Sequence, residues 1–75
     1  MRRVGEVVRT AQGLAVLRSP DDEYPDLGTE VVDQNLDAVG RVVDVFGPVD
    51  RPYVAVSPAK DVSLAGLLGE KVYAR

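Results

Sequence analysis

The chain has 75 residues, which is enough for one small domain and too few for two, since independent domains usually run from about 50 to 250 residues. It contains no Cys and no His, which excludes disulfides, thiolate or imidazole metal ligands and Ser-His-Asp catalysis. Its 12 acidic and 9 basic residues give a net charge of −3, a balance that disfavours unaided binding to RNA or DNA. We therefore predict one domain over residues 1–75 that is not an enzyme and uses no metal or cofactor.

The apolar segments are too short for a membrane role. The longest apolar stretch, residues 13–17, is far below the roughly 18 residues that span a bilayer. Glu6 interrupts any secretory segment that could follow Arg2 and Arg3. These features predict a soluble cytoplasmic protein with no membrane contact.

Six short segments have strand patterns, and Gly, Pro or acidic residues separate them. Val is the most frequent residue, and its β-branched side chain suits a pleated surface. Because the turn signals recur every eight to twelve residues and leave no room for crossover helices, the pattern predicts an all-β domain, a small six-stranded antiparallel β-barrel. In chain order the predicted strands are residues 4–10, 14–18, 29–33, 38–46, 53–57 and 70–74, with a Gln12-Gly13 hairpin turn and one helical turn at 63–68.

Two further features concern the strands themselves: a repeated sequence, and apolar residues on both faces of two strands. The sequence Val-Gly-Glu-Val-Val at residues 4–8 is echoed by Val-Gly-Arg-Val-Val at residues 39–43, and its glycines favour bulges or bends at barrel corners. In so Val-rich a chain, coincidence is the alternative explanation. The second and fifth strands carry apolar residues on both faces, so we expect either exposed apolar surface for a partner or coverage by folded-back loops.

Three charged groups have simple structural interpretations. The acidic loop at residues 21–26 lacks the spacing and central glycine of an EF-hand, so it predicts a solvated loop and not a calcium site. Asp44 and Asp50 are expected to bond loop amides rather than to act as an acid/base pair. Arg2, Arg3 and Arg9 form the only basic cluster, expected to be solvated at a mobile terminus, with a phosphate contact in a larger assembly as the alternative.

The most informative segment is the loop at residues 46–53. Pro48 fixes φ in a turn that begins at Gly47, and Pro52 favours an extended Arg51, so the loop is stiff. It displays Val49 between two aromatic residues, as expected of a binding element that loses little entropy on docking. The alternative is a hairpin connector whose two aromatic residues form a cross-strand pair.

This segment resembles a known family. Asp33, the run V-G-R-V-V-D-V-F-G-P-V at residues 39–49 and the run P-Y-V-A-V at residues 52–56 are similar to the core signature of the GAR subunit of archaeal and eukaryotic H/ACA ribonucleoproteins. The similarity in layout extends over most of the chain, including the opening Val-Gly hairpin and the closing segment at residues 69–73.

The resemblance implies a non-catalytic subunit for RNA-guided pseudouridylation of rRNA. Such a subunit docks on the catalytic domain of a dyskerin-type, TruB-like pseudouridine synthase and helps it to load, position and release substrate RNA. It belongs to an H/ACA guide RNA complex but contacts the synthase rather than the guide RNA. Because the sequence shows neither the Gly-Arg-rich nor the Lys-rich tail of many members, no tail-mediated RNA binding is expected. The expected partner-binding residues are Phe46, Gly47, Pro48, Val49, Pro52 and Tyr53, with Gly40 and Asp44 as structural support.

Two other classes of protein stay open at this point. A small barrel of the PRC type also uses Val-Gly-x-Val strands and binds protein partners, although it fits the F-G-P-V-x-x-P-Y run less well. A barrel that binds RNA directly would need a basic, aromatic-lined face.

Overall fold

The computed structural model describes residues 2–75, and all six predicted strands are present. The boundaries differ by a few residues at most, since the first strand begins at Arg2 and the fifth includes Pro58 at its end. A single turn of 3₁₀ helix, Ala65–Leu67, lies within the predicted helical turn. The strands are β1 (Arg2–Ala11), β2 (Leu14–Arg18), β3 (Glu30–Val32), β4 (Ala38–Phe46), β5 (Tyr53–Pro58) and β6 (Lys71–Ala74).

The strands form a closed barrel in the order β1-β2-β5-β4-β3-β6, with every neighbouring pair antiparallel. This confirms the predicted fold class. Alternate residues point inward, and the inward set is mostly Val, whose stiff branched side chains fill a narrow barrel. The buried inner core consists of Val4, Val7, Ala15, Leu17, Val31, Val39, Val42, Val54, Val56, Leu67 and Val72.

The Val-Gly echo corresponds to a pseudo-twofold symmetry of the barrel. The ring order is unchanged when β1, β2 and β6 exchange places with β4, β5 and β3. The pairing of β1 with β2 skips Val8, and the pairing of β4 with β5 skips Val43. These two β-bulges leave equivalent valines 46% and 44% exposed. The repeated sequence therefore encodes a repeated strand geometry.

Close approach between strands explains the repeated glycines. A Cβ atom at Gly40 would lie 1.9 Å from the carbonyl oxygen of Ser57 on β5, and one at Gly5 would lie 2.4 Å from that of Arg18 on β2. No side chain fits at such distances. The two glycines let each long strand approach its hairpin partner closely. Register shifts lie beside both of them, between Arg3 and Gly5 and between Ala38 and Gly40, as the predicted bulges require.

Long side chains cover part of the outer face. Val16 and Ala55 pair across β2 and β5 and are buried although they lie outside the inner core. Arg9 on β1 pairs with Val16, and its guanidinium carbon lies 5.7 Å from the ring centroid of Tyr53 on β5. Because β2 separates β1 from β5, the approach of these two side chains crosses β2. Val16 and Ala55 are therefore covered and do not form exposed apolar surface on these strands.

The prediction of one basic cluster at a mobile terminus is wrong, although Arg2, Arg3 and Arg9 are all exposed, as expected of solvated residues. Arg2 and Arg3 belong to β1 and pair with Ala74 and Tyr73 of β6. Arg9 follows six residues later, roughly 20 Å along an extended strand. The strand therefore places the first two arginines at one end of the barrel and Arg9 towards the other.

No helix within residues 2–75 is long and apolar enough to cross a membrane.

Candidate functional site

The loop at residues 46–53 is the main difference between the two halves of the barrel. Phe46 and Tyr53 form the last register pair between β4 and β5, as Ala11 and Leu14 do between β1 and β2. In the first half only Gln12 and Gly13 close the hairpin, both with positive φ. The second half has six residues, 47–52, at the same place. They form an added loop, which we call the docking loop.

An aromatic pair forms the base of the docking loop. The rings of Phe46 and Tyr53 stack with centroids 5.6 Å apart and planes inclined by 23°. This is the cross-strand pair that the connector interpretation predicted. On the other side of β5, Arg18 of β2 places its guanidinium carbon 4.8 Å from the Tyr53 ring centroid. Arg18 Nη1 also donates a 2.9 Å hydrogen bond to the Tyr53 hydroxyl. The Tyr53 ring therefore contacts both Phe46 of β4 and Arg18 of β2.

The docking loop is anchored to the segment that follows β2. The buried Pro52 accepts a 3.0 Å hydrogen bond at its carbonyl oxygen from the Ser19 amide. Arg51 Nε donates to the Ser19 carbonyl at 3.3 Å. At the other end of the loop, Gly47 has φ +90°, and a Cβ atom there would lie 2.7 Å from Tyr53 Cδ2. Backbone geometry and close packing thus both require glycine at this position.

The tip of the docking loop displays an apolar side chain to solvent. Val49 is 90% exposed, more than any other large apolar residue within residues 2–75. Phe46 is 39% exposed. Gly47 and Pro48 between them are also exposed. Because the aromatic pair does not include Val49, the connector interpretation does not account for this residue. An exposed Val on an anchored loop is suited to docking.

The two supporting residues lie on β4 but outside the docking loop. Asp44 is exposed opposite Ala55, two residues before Phe46, and Oδ1 accepts a 2.8 Å hydrogen bond from the Val45 amide. Gly40 lies at the far end of β4 and lines a groove of about 400 Å³ between β3, β4 and β5. The structure therefore brings together the six predicted contact residues and leaves Gly40 with a role in strand packing.

Sequence reasoning missed the arginines around the aromatic pair. Arg9 of β1 and Arg18 of β2 reach the Tyr53 ring, and Arg51 of the docking loop reaches the Ser19 carbonyl next to Arg18. Pairing of β2 with β5 brings these segments together. The two most distant of these residues, Arg9 and Arg51, are 42 positions apart in sequence. Local patterns do not indicate such a cluster. The preference for Arg over Lys is the only signal in the sequence, because Arg stacks on aromatic rings better than Lys does.

The acidic residues do not form a metal site. Within residues 2–75 no group of three or more His, Cys, Asp or Glu side chains is placed to hold a metal ion. In the acidic loop, Asp21 Oδ1 accepts a 2.9 Å hydrogen bond from the Glu23 amide. This is a local loop contact of the kind expected from a solvated Asp.

Together these features define a class of protein: a closed six-stranded β-barrel with an anchored, exposed loop. The Gar1/Naf1 RNA binding region family matches residues 1–75, and the chain belongs to this family. The match decides between this family and the PRC-type barrel, which the sequence had left open.

Three relatives share the barrel sequence. The H/ACA ribonucleoprotein complex subunit GAR1 of Chaetomium globosum is 25% identical over 71 residues, which cover 93% of this chain and 34% of the relative. An uncharacterized protein of Methanocaldococcus jannaschii is 34% identical over 59 residues, covering 77% of this chain and 69% of that protein. One from Methanothermobacter thermautotrophicus is 27% identical over 77 residues, covering 97% and 82%. The chain thus spans about a third of the fungal subunit and most of the other two proteins.

Proposed function

We propose that this chain is a non-catalytic protein subunit of an H/ACA ribonucleoprotein for RNA-guided pseudouridylation of rRNA. It binds the catalytic domain of the dyskerin-type, TruB-like pseudouridine synthase through the docking loop and assists loading and release of substrate RNA. The observation that carries the proposal is the 90% exposure of Val49 on an anchored loop, in a chain of the Gar1/Naf1 family. The named fungal relative, an H/ACA subunit, supports the assignment to this complex.

The docking loop has the energetics of a binding element. Complete burial of one Val side chain contributes about 1.5–3 kcal/mol, equivalent to roughly 10- to 150-fold in affinity. Anchoring at Ser19 and stacking at Tyr53 order the loop before binding, which reduces the entropy lost on association. A small contact can therefore make a measurable contribution to affinity.

Direct binding of RNA by the barrel is the alternative, and the description of the family includes it. Arg9 and Arg18 at the Tyr53 ring, together with the stacked Phe46 and the nearby Arg51, supply a small basic, aromatic surface. Two observations favour the protein partner. The Tyr53 ring already stacks with Phe46, contacts Arg18 and is only partly exposed, and the net charge of −3 opposes RNA at long range.

The test compares two substitutions that make the same change in charge at exposed apolar sites. Val49→Asp alters the tip of the docking loop, and Leu36→Asp alters an exposed loop residue at the opposite end of β4, where positive φ suits Asp. Affinity for the purified synthase is measured by calorimetry, and pseudouridine turnover is measured in the guide RNA complex. We expect Val49→Asp to weaken binding at least tenfold and to slow turnover, while Leu36→Asp matches the wild type.

Thermal unfolding checks that both variants are folded, as their exposure predicts. Equal affinities of the wild type and the two variants would contradict docking through this loop. Absence of any binding by the wild type would contradict the synthase as partner. A steep fall of RNA affinity with salt for the isolated chain would favour the RNA-binding alternative.

A further inference from the structure

Two guanidinium groups lie against the aromatic pair, and a third belongs to the docking loop beside it. The guanidinium carbons of Arg9 and Arg18 lie 5.7 Å and 4.8 Å from the Tyr53 ring centroid. Arg51, at the base of the docking loop, reaches the Ser19 carbonyl at 3.3 Å. We call Arg9, Arg18 and Arg51 the arginine patch. It draws on β1, β2 and the docking loop, so it exists only in the folded barrel.

The arginine patch forms no ion pair within residues 2–75. The ion pairs in this part of the chain both use Glu30, which lies 3.6 Å from Arg41 and 3.5 Å from Arg75. No carboxylate of the described residues lies within 4.0 Å of the patch arginines, although the chain has 12 acidic residues against 9 basic ones. Glu6, the register partner of Arg18, and Asp50, the neighbour of Arg51, are nearby but form no ion pair with the patch.

Burial adds to this imbalance. Arg18 Nε is buried and has no hydrogen-bond acceptor within residues 2–75, and the adjacent Ser19 Oγ is buried and has no partner there either. A partly desolvated cation without a counter-charge is unfavourable, and a nearby carboxylate would offset that cost. Asp44, the acidic residue of β4, already accepts the Val45 amide. The patch is therefore open to a carboxylate from another molecule.

We infer that the arginine patch binds carboxylates of an acidic segment on the protein that receives the docking loop. This inference rests on the proposed function, since it names the chemistry of the partner surface beside Val49. The guanidinium fork binds carboxylates in a bidentate manner, and complementary charge across an interface fixes orientation and speeds association.

The arrangement favours a carboxylate surface over RNA. Successive phosphates need cations spaced along a strip, whereas Arg9 and Arg18 converge on one tyrosine ring. That ring already stacks with Phe46 and is only partly exposed, which limits its use as a stacking platform for a base. The patch is also continuous with Val49 through Arg51, so one protein surface can cover both.

The experiment measures affinity for the synthase at several salt concentrations with matched charge reversals. Arg9→Glu alters an exposed residue of the patch that makes no hydrogen bond or ion pair through its side chain within residues 2–75. Arg75→Glu makes the same charge change at the opposite end of the barrel, where the Arg75 side chain is 62% exposed. We expect Arg9→Glu to weaken affinity for the synthase at least tenfold and to reduce the dependence of that affinity on salt. Arg9→Gln should have an intermediate effect. The affinity of Arg75→Glu should stay within about twofold of the wild type.

The outcomes separate this inference from the proposed function. Equal affinities of Arg9→Glu and Arg75→Glu, with Val49→Asp still impaired, overturn the carboxylate inference alone. Unimpaired binding by all three variants overturns docking through the loop and the inference with it. Unchanged synthase affinity together with weaker RNA binding by Arg9→Glu assigns the patch to RNA and also overturns the inference. Thermal unfolding of each variant establishes that the barrel is folded.

Discussion

Replacing Gly40 by Ala tests how the barrel holds the strands that carry the docking loop. A Cβ atom at this position would lie 1.9 Å from the Ser57 carbonyl oxygen and 2.9 Å from its carbonyl carbon. Side-chain Cβ atoms essentially never approach other heavy atoms within 3.0 Å, so β4 and β5 must separate by roughly 1 Å here. Both clashing atoms belong to the backbone, and no rotamer change relieves them.

The expected cost follows from the contacts that this separation disturbs. Overpacking of a well-packed site costs about 1–3 kcal/mol. Moving β4 also strains the 2.7 Å hydrogen bond from the Ala59 amide to the Val39 carbonyl, and each lost hydrogen bond costs about 1 kcal/mol. We expect a loss of about 3 kcal/mol in the free energy of unfolding, from a total of about 4–11 kcal/mol for a domain of this size. The corresponding fall in Tm is about 12–24 °C.

Thermal and urea unfolding, followed by circular dichroism, measure this loss. Gly66→Ala is the matched control, because a Cβ atom at Gly66 meets nothing closer than Ser63 Cβ at 3.9 Å. We expect that variant to keep or gain up to about 1 kcal/mol through a less flexible unfolded chain. Gly5→Ala, with its 2.4 Å approach, should be destabilised like Gly40→Ala but less. A Tm for Gly40→Ala within about 2 °C of the control would refute the close-approach account.

Three further substitutions test local features by the same unfolding measurements. Tyr53→Phe removes the acceptor of the 2.9 Å hydrogen bond from Arg18 and should cost about 1 kcal/mol, and an unchanged Tm would mean that this bond contributes nothing. Ser19→Ala deletes a buried hydroxyl that has no partner within residues 2–75, so stability should stay constant or rise, and a loss above about 1 kcal/mol would reveal a bonded hydroxyl. Gln12→Asn suits the positive φ of 52° before Gly13 and should raise Tm by a few degrees, whereas a lower Tm would contradict the assigned turn.

The strands could be predicted from the sequence because each one has a local cause. Val-rich segments marked the pleated strands, and the Gln12-Gly13 pair indicated the turn that closes the first hairpin. Pro52 and Pro58 bounded the fifth strand on either side. The closed barrel followed from six short strands without crossover segments, and the structure confirms it.

The site was only partly predictable, since its parts come from distant segments. The stiff loop and the exposure of Val49 follow from nearby prolines and glycine. Its anchor at Ser19 and its contact with Arg18 depend on β2 pairing with β5, which no local pattern specifies. For the same reason Arg9 was grouped with Arg2 and Arg3, although the strand carries it to the aromatic pair.

Methyl NMR of the chain bound to the synthase tests the central claim most directly. The valines are labelled at their methyl groups, and spectra are compared before and after the unlabelled synthase is added. Val49 at the loop tip reports on docking, while Val8, 46% exposed on the bulge of β1, is the built-in control. We predict that the Val49 methyl signals shift most and that the Val8 signals stay in place. Unchanged Val49 signals in a complex that shifts Val8 or Val43 would contradict docking through the loop.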